Sequence, residues 1–314
     1  MRCLITDNTH PILREMLEAA GHTVVVNCDL TYDTLLAQVQ NFDALVVRSK
    51  IIIDRTFLAS AKHLRCIGRV GAGMETIDVA YAESLGIRCL NSPEGNRDAV
   101  GEHAVGLLLA LFDKIAHADS EVRQGLWQRE ANRGLEVKGK TVGIIGFGNM
   151  GSAFAKRLQG FDCQIIAYDK YKPHGYAPSY VEEVSLAELQ QRADVLSLHV
   201  PLTDETRHMV DYAFLKGFAK SLYLINTSRG AVVKTADLAQ AMQEGLIAGA
   251  ALDVIEYEDM TKDGLCLDTL PADFHYLLAQ PNTVLTPHVA GWTQESKVKL
   301  AQHLAEKIIA VLNK

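Results

Sequence analysis

Residues 142–151, Val-Gly-Ile-Ile-Gly-Phe-Gly-Asn-Met-Gly, constrain the fold of this 314-residue chain more than any other stretch. An apolar β-run breaks into Gly146-x-Gly148-x-x-Gly151 and opens an amphipathic helix through Phe154, Ala155 and Leu158. The three glycines have separate duties: Gly146 permits the tight turn, Gly148 lets the backbone approach a diphosphate, and Gly151 lets helix and strand pack closely. The diphosphate then rests on unpaired helix N–H groups. A glycine fingerprint alone is a weak signal. Here a second β-run over 163–168 ends at Asp169, 18 residues past Gly151, where a carboxylate that meets a ribose 2′-hydroxyl belongs.

The surrounding pattern is that of an α/β protein with two doubly wound parallel sheets. Short β-like runs at 2–6, 23–27 and 43–48 alternate with helical patterns near 11–20, 31–38 and 55–62, and weaker strands near 65–68 and 87–90 complete a first lobe. Loop composition at 91–96 marks a boundary. A second series follows, with strands at 141–146, 163–168, 194–200, 221–226, 248–252 and 283–286 and helices at 149–159, 211–217 and 234–243. Residues 99–112 are apolar almost all round, which predicts a helix buried between lobes or in a dimer contact. The closing helix, about 294–313, carries Leu300, Leu304, Ile308 and Leu312 as one apolar stripe. At 48% hydrophobic the chain can bury two cores, with a cleft expected between them.

Composition narrows the partners. A net charge of −7 with no Lys/Arg-dense stripe argues against a nucleic-acid or anionic-membrane surface, so a small-molecule partner is expected. The six cysteines show no Cys-x-x-Cys pair, which fits reduced thiols in a cytoplasmic protein. The first residues read as a short strand rather than an apolar signal segment, and no stretch is long enough to span a bilayer. Without His-Glu-x-x-His or clustered Cys/His spacing, no metal is expected.

Three segments fall just beyond predicted strand ends, where doubly wound sheets place ligands. Asn226-Thr227-Ser228-Arg229-Gly230 offers a guanidinium suited to bidentate capture of a carboxylate. Asp253 is followed by Glu256, Glu258 and Asp259, an acidic cluster, and Thr286-Pro287 leads into His288. Reduction of a ketone needs a proton for the nascent alkoxide, and a histidine beside a carboxylate can supply it. Of the other histidines, His22, His63, His103, His117 and His303 read as structural, and His199, two residues before Pro201, reads as lining the cofactor pocket.

These motifs together resemble the D-2-hydroxyacid dehydrogenases almost end to end, in their phosphoglycerate-oxidising branch. The ordered signatures are Gly68-Arg69-Val70-Gly71-Ala72-Gly73, Gly146 to Gly151, His199-Val200-Pro201-Leu202-Thr203, Asn226 to Gly230, Ala251-Leu252-Asp253 and Thr286-Pro287-His288-Val289-Ala290-Gly291. The resemblance implies a Rossmann-type NAD domain over 96–288, inserted into a flavodoxin-like substrate domain made of 1–95 and the closing segment 289–314. It implies Arg229 as the group that orients substrate carboxylate and carbonyl, His288 as the acid/base and Glu258 as its partner. It implies Asn149 and Met150 at the diphosphate, Asp169 at the ribose and Asp253 on the nicotinamide side, with His199, Val200, Pro201, Thr227, Ser228, Ala290 and Gly291 completing the NAD site. Val70, Gly71 and Ala72 would offer backbone groups to the substrate carboxylate, and Arg48 and Arg69 would meet a phosphate. A homodimer is expected.

Two departures matter. The family usually has proline after the catalytic glutamate, whereas here Asp259 opens a longer segment through Thr261, Gly264 and Pro271, which keeps Glu256 as a rival to Glu258. Trp292 is unusual so near the histidine and either covers the substrate or braces the hinge. Because the chain ends directly after its closing helix, a C-terminal regulatory domain and feedback inhibition by serine are not expected. The favoured substrate pair is 3-phosphoglycerate/3-phosphohydroxypyruvate. The alternatives are a glyoxylate or hydroxypyruvate reductase and, in another class, an NAD-sensing corepressor-like binding protein. Asp169 predicts NAD over NADP, a preference that Lys170 and Lys172 are expected to soften.

Overall fold

The computed structural model describes residues 1–258 and 264–314, which divide into two units: residues 1–97 with 292–314, and residues 98–258 with 264–291. The first unit runs β1 (Arg2–Ile5), α1 (Ile12–Ala19), β2 (Thr23–Val26), α2 (Tyr32–Gln38), β3 (Ala44–Val47), α3 (Arg55–Ser60), β4 (Cys66–Arg69), α4 (Val79–Ser84) and β5 (Arg88–Leu90). All its strands are parallel, in the order β2-β1-β3-β4-β5. Side chains alternate across the sheet. Leu4, Leu45, Val47 and Ile67 join one core with Leu35 and Phe57, while Cys3, Ile5, Val46 and Cys66 join another with Leu13 and Leu17. The order reverses between β1 and β3, which makes their carboxyl ends the switch point where such a sheet leaves a crevice.

The second unit holds α5 (Arg97–Phe112), α6 (Ile115–Arg123), β6 (Thr141–Ile145), α7 (Asn149–Leu158), β7 (Gln164–Tyr168), β8 (Glu182–Glu183), α8 (Leu186–Arg192) and β9 (Val195–Leu198). It continues through α9 (Tyr212–Lys216), β10 (Leu222–Asn226), α10 (Thr235–Gln243), β11 (Ile247–Leu252), α11 (Ala272–Ala279) and β12 (Thr283–Leu285). Its parallel sheet has the order β12-β11-β10-β9-β6-β7-β8, so the switch point lies between β6 and β9. The nearly all-apolar α5 is buried within the second unit. Its Ala104, Leu107, Leu108, Leu111 and Phe112 pack with Val142, Ile144 and Phe154 in this unit's own core, and Gly101 lets it approach α7 so closely that a Cβ would sit 2.8 Å from the Ala153 backbone.

The chain then returns to the first unit as α12 (Gln294–Leu312), whose Leu304, Ile308 and Leu312 complete the core around Cys3 and Val46. Thr293 caps it by accepting from the amide of Ser296, and Gly68 leaves just enough room for Leu304 and Ile308 against β4. Among the described residues no helix is long and apolar enough to cross a membrane.

Candidate active site

At the switch point of the second sheet, the glycine turn fits a dinucleotide diphosphate. Gly146 sits at φ +88°, and a Cβ there would stand 2.5 Å from the His199 carbonyl oxygen. A Cβ on Gly151 would meet the Gly146 carbonyl oxygen at 2.1 Å. Over Gly148, by contrast, nothing lies within 4 Å, so the backbone is open to a ligand. The first i→i−4 bond of α7 is Ser152 to Gly148 at 3.1 Å, which leaves the amides of Asn149, Met150 and Gly151 as its donors for an anion. At the end of β7, Asp169 Oδ2 accepts the Phe147 amide at 2.8 Å and Oδ1 accepts the Tyr171 amide at 3.0 Å, placing the carboxylate beside the turn. The two lysines that follow are committed to protein acceptors. Lys170 and the Tyr171 hydroxyl both bond to Glu205, and Lys172 donates to the Phe147 carbonyl at 2.6 Å.

His199 contributes to this wall through its backbone more than its ring. The imidazole tilts onto Phe154, and its Nε2 lies 2.8 Å from Ser197 Oγ. Its buried Nδ1 has no partner among the described residues. Burial pushes its pKa down to about 3, so the ring is neutral. Val200 packs beside Gly146, and Pro201 is exposed. At the next strand end, Asn226 organises the turn by accepting from the Ser228 amide and hydroxyl, at 3.0 and 2.7 Å, and donating to the Arg229 carbonyl at 3.0 Å. Thr227 is buried, and Arg229, half-buried, donates from one guanidinium nitrogen to the Ser228 carbonyl at 2.6 Å. Gly230 is required because the chain there runs against Ile255, whose carbonyl oxygen would lie 1.8 Å from a Cβ.

His288 Nδ1 lies 3.0 Å from Glu258 Oε2, both side chains partly exposed. Glu256, the rival by sequence, is engaged elsewhere: Oε1 is 2.6 Å from His208 Nε2, and Oε2 accepts the Thr235 amide at 2.8 Å. His288 itself adopts φ +53°, a left-handed conformation that a non-glycine residue holds only when its surroundings impose it. Asp253 imposes it. Its carbonyl accepts the His288 amide at 2.7 Å, its Oδ1 accepts Thr286 Oγ1 at 2.6 Å and the Val289 amide at 2.9 Å, and its Oδ2 accepts the Ala290 amide at 2.8 Å. Asp253 is only 1% exposed, so it acts as a clamp on the histidine loop. Burial alone would raise its pKa, but the bonds from His103, Thr286, Ala290 and Val289 outweigh burial and hold it below the usual carboxylate value.

His103, read from sequence as structural, joins this network: its Nε2 is 3.1 Å from Thr286 Oγ1 and 3.4 Å from Asp253 Oδ1. Only its place on an apolar helix was visible in sequence. Asp259 and Thr261 lie outside the described residues.

The first unit places Arg48 directly after β3 and Arg69 at the end of β4. The Arg48 amide donates to Asp7 Oδ2 at 2.9 Å, and its guanidinium carbon stands 5.3 Å from the centre of the Trp292 ring. Trp292 is 70% exposed. Arg69 folds back over Gly71, where a Cβ would collide with the guanidinium at 2.0 Å. The Val70 amide is spent on the Val47 carbonyl, and the carbonyls of Gly71 and Ala72 accept from Ser92 and Asn91. The amides of Gly71 and Ala72 make no hydrogen bond among the described residues, whereas that of Val70 is taken.

The model for the D-isomer specific 2-hydroxyacid dehydrogenase NAD-binding domain matches residues 105–290, more than half of the chain. The chain belongs to this family. It is 36% identical over 99% of its length to the D-3-phosphoglycerate dehydrogenase of Methanocaldococcus jannaschii, of which it spans 57%. It is 37% identical to the hydroxypyruvate reductase of Thermotoga maritima, covering 90% of this chain and 89% of that one. It also superposes, with a TM-score of 0.83 and 25% identity, on a D-lactate dehydrogenase of Aquifex aeolicus complexed with NAD and lactic acid, covering 100% of this chain and 96% of that one. The glycine turn thus lies within an NAD-binding domain.

Proposed function

We propose that this chain is an NAD-dependent enzyme that interconverts a D-2-hydroxy acid and its 2-keto acid, with 3-phosphoglycerate and 3-phosphohydroxypyruvate as the substrate pair and a place in serine biosynthesis. The observation that carries the chemistry is the His288–Glu258 pair at 3.0 Å on a loop clamped by Asp253. Glu258 occupies Nδ1 and leaves Nε2 to carry the proton that is transferred. During reduction Nε2 delivers that proton to the substrate carbonyl oxygen, which becomes the hydroxyl. During oxidation the neutral ring takes it back. Arg229 presents a planar fork that fixes the substrate carboxylate and polarises the carbonyl. A nicotinamide held by this NAD-binding domain would supply or accept the hydride.

The phosphate reading rests on Arg48 and Arg69 and on the likeness to phosphoglycerate dehydrogenases. The hydroxypyruvate reductase match, which spans nearly all of both chains, favours a second reading as a reductase of small unphosphorylated keto acids. Initial rates of NADH oxidation with 3-phosphohydroxypyruvate, hydroxypyruvate and glyoxylate separate them: a higher kcat/KM for the phosphorylated acid is expected, and a clear preference for either of the others replaces the first reading by the second. A homodimer is supported by α6, none of whose residues is buried, and by the exposed Leu126 and Trp127 that follow it. Six unpaired cysteines support a cytoplasmic location.

A further inference from the structure

We propose that Trp292 is a specificity-determining residue: it holds Arg48 ready for the distal anionic group of a substrate at the switch point of the first unit's own sheet. Arg48 leaves β3 where the strand order reverses against β1, and Asp7, just beyond β1, bonds to its amide at 2.9 Å across that point. The crevice a doubly wound sheet leaves at this position is its ordinary place for a ligand. The guanidinium is held by the indole face, 5.3 Å from the ring centre, and by no carboxylate among the described residues. A carboxylate partner would neutralise the charge, whereas stacking fixes its plane and leaves the N–H edge to meet phosphate oxygens. Trp292 is 70% exposed, so its indole meets Arg48 at the surface.

The inference rests on the reading of Arg48 as the group that meets a substrate phosphate. Its test is the ratio of kcat/KM for 3-phosphohydroxypyruvate to that for glyoxylate in Trp292→Leu and Trp292→Phe. The ratio is expected to fall about five- to tenfold in the leucine variant, mainly through KM for the phosphorylated acid, and to recover most of the way in the phenylalanine variant, which keeps an aromatic face. As a second readout, Trp127→Phe leaves Trp292 as the single tryptophan. Its fluorescence is expected to change on titration with 3-phosphohydroxypyruvate but not with glyoxylate. An unchanged ratio in the leucine variant of an enzyme that prefers the phosphorylated acid overturns the role of Trp292 while the substrate reading stands. A wild-type preference for glyoxylate overturns the substrate reading, and with it a flat titration overturns the inference as well.

Discussion

The loop bearing His288 and the corner bearing Arg48 both sit at strand ends, yet they are held in different ways. His288 is locked: a backbone carbonyl fixes its amide, a buried carboxylate fixes the two residues after it, and Glu258 fixes its ring. Arg48 has one backbone anchor and one stacking contact. General acid/base chemistry demands placement to a fraction of an ångström, which a shared network supplies. Selection among substrates can be set by a long side chain on an open surface and altered by a single replacement. On the proposed function, reaction type is built into a rigid backbone turn and substrate choice into loosely held side chains.

The sharpest way to break this contrast is His288→Ala. If the locked loop performs the proton transfer, kcat falls by about 10²-fold or more for every keto acid, while the NADH dissociation constant stays within about twofold of wild type. A loss confined to one substrate places His288 in selection instead. Asp253→Asn probes the lock itself. An amide nitrogen would face the backbone amides of Val289 or Ala290, so urea denaturation at pH 7 is expected to show a loss of about 3 kcal/mol. Because the folded-state pKa of Asp253 lies below the ordinary value of 3.8, its contribution is complete only above about pH 5 and is lost as pH falls through 3.8 to the folded value. The variant should therefore show a flatter stability profile than wild type between about pH 5 and 3.

Glu258→Gln sharpens the picture by keeping shape and removing charge. It should lower kcat by roughly tenfold or more, whereas Glu256→Gln, whose partners are His208 and Thr235, should cost less. The reverse order would reassign the histidine's partner. The smallest effect is expected at the ribose: Asp169→Ala should reduce the kcat/KM preference for NADH over NADPH by about tenfold, short of reversing it, because Lys170 is tied to Glu205 and Lys172 to Phe147. A full reversal in the single variant would show those lysines to be available to a 2′-phosphate.

Much of this was legible in the sequence because the determinants are local. The glycine turn, Asp169 and the strand-end motifs announce themselves within a few residues, and parallel strands buried on both faces read as apolar runs. What escaped is either short or non-local. Strand β8 is two residues long, and α6 buries none of its residues, leaving Ile115 and Val122 exposed. Helices α4, α8 and α11 are six to eight residues long, too brief for a periodicity to stand out. The His103–Thr286 contact joins residues 183 apart and the His208–Glu256 pair residues 48 apart. Position alone nominated both Glu256 and Glu258; the family resemblance favoured Glu258, and the turn after β11 brings that carboxylate to His288.

The claim that chemistry and selection are carried by different units is tested most directly with Arg48→Ala, assayed side by side with 3-phosphohydroxypyruvate and glyoxylate. Loss of a charge-assisted contact to phosphate predicts a fall of about ten- to a hundredfold in the ratio of the two kcat/KM values. An unchanged ratio, with both substrates affected alike, would contradict the account.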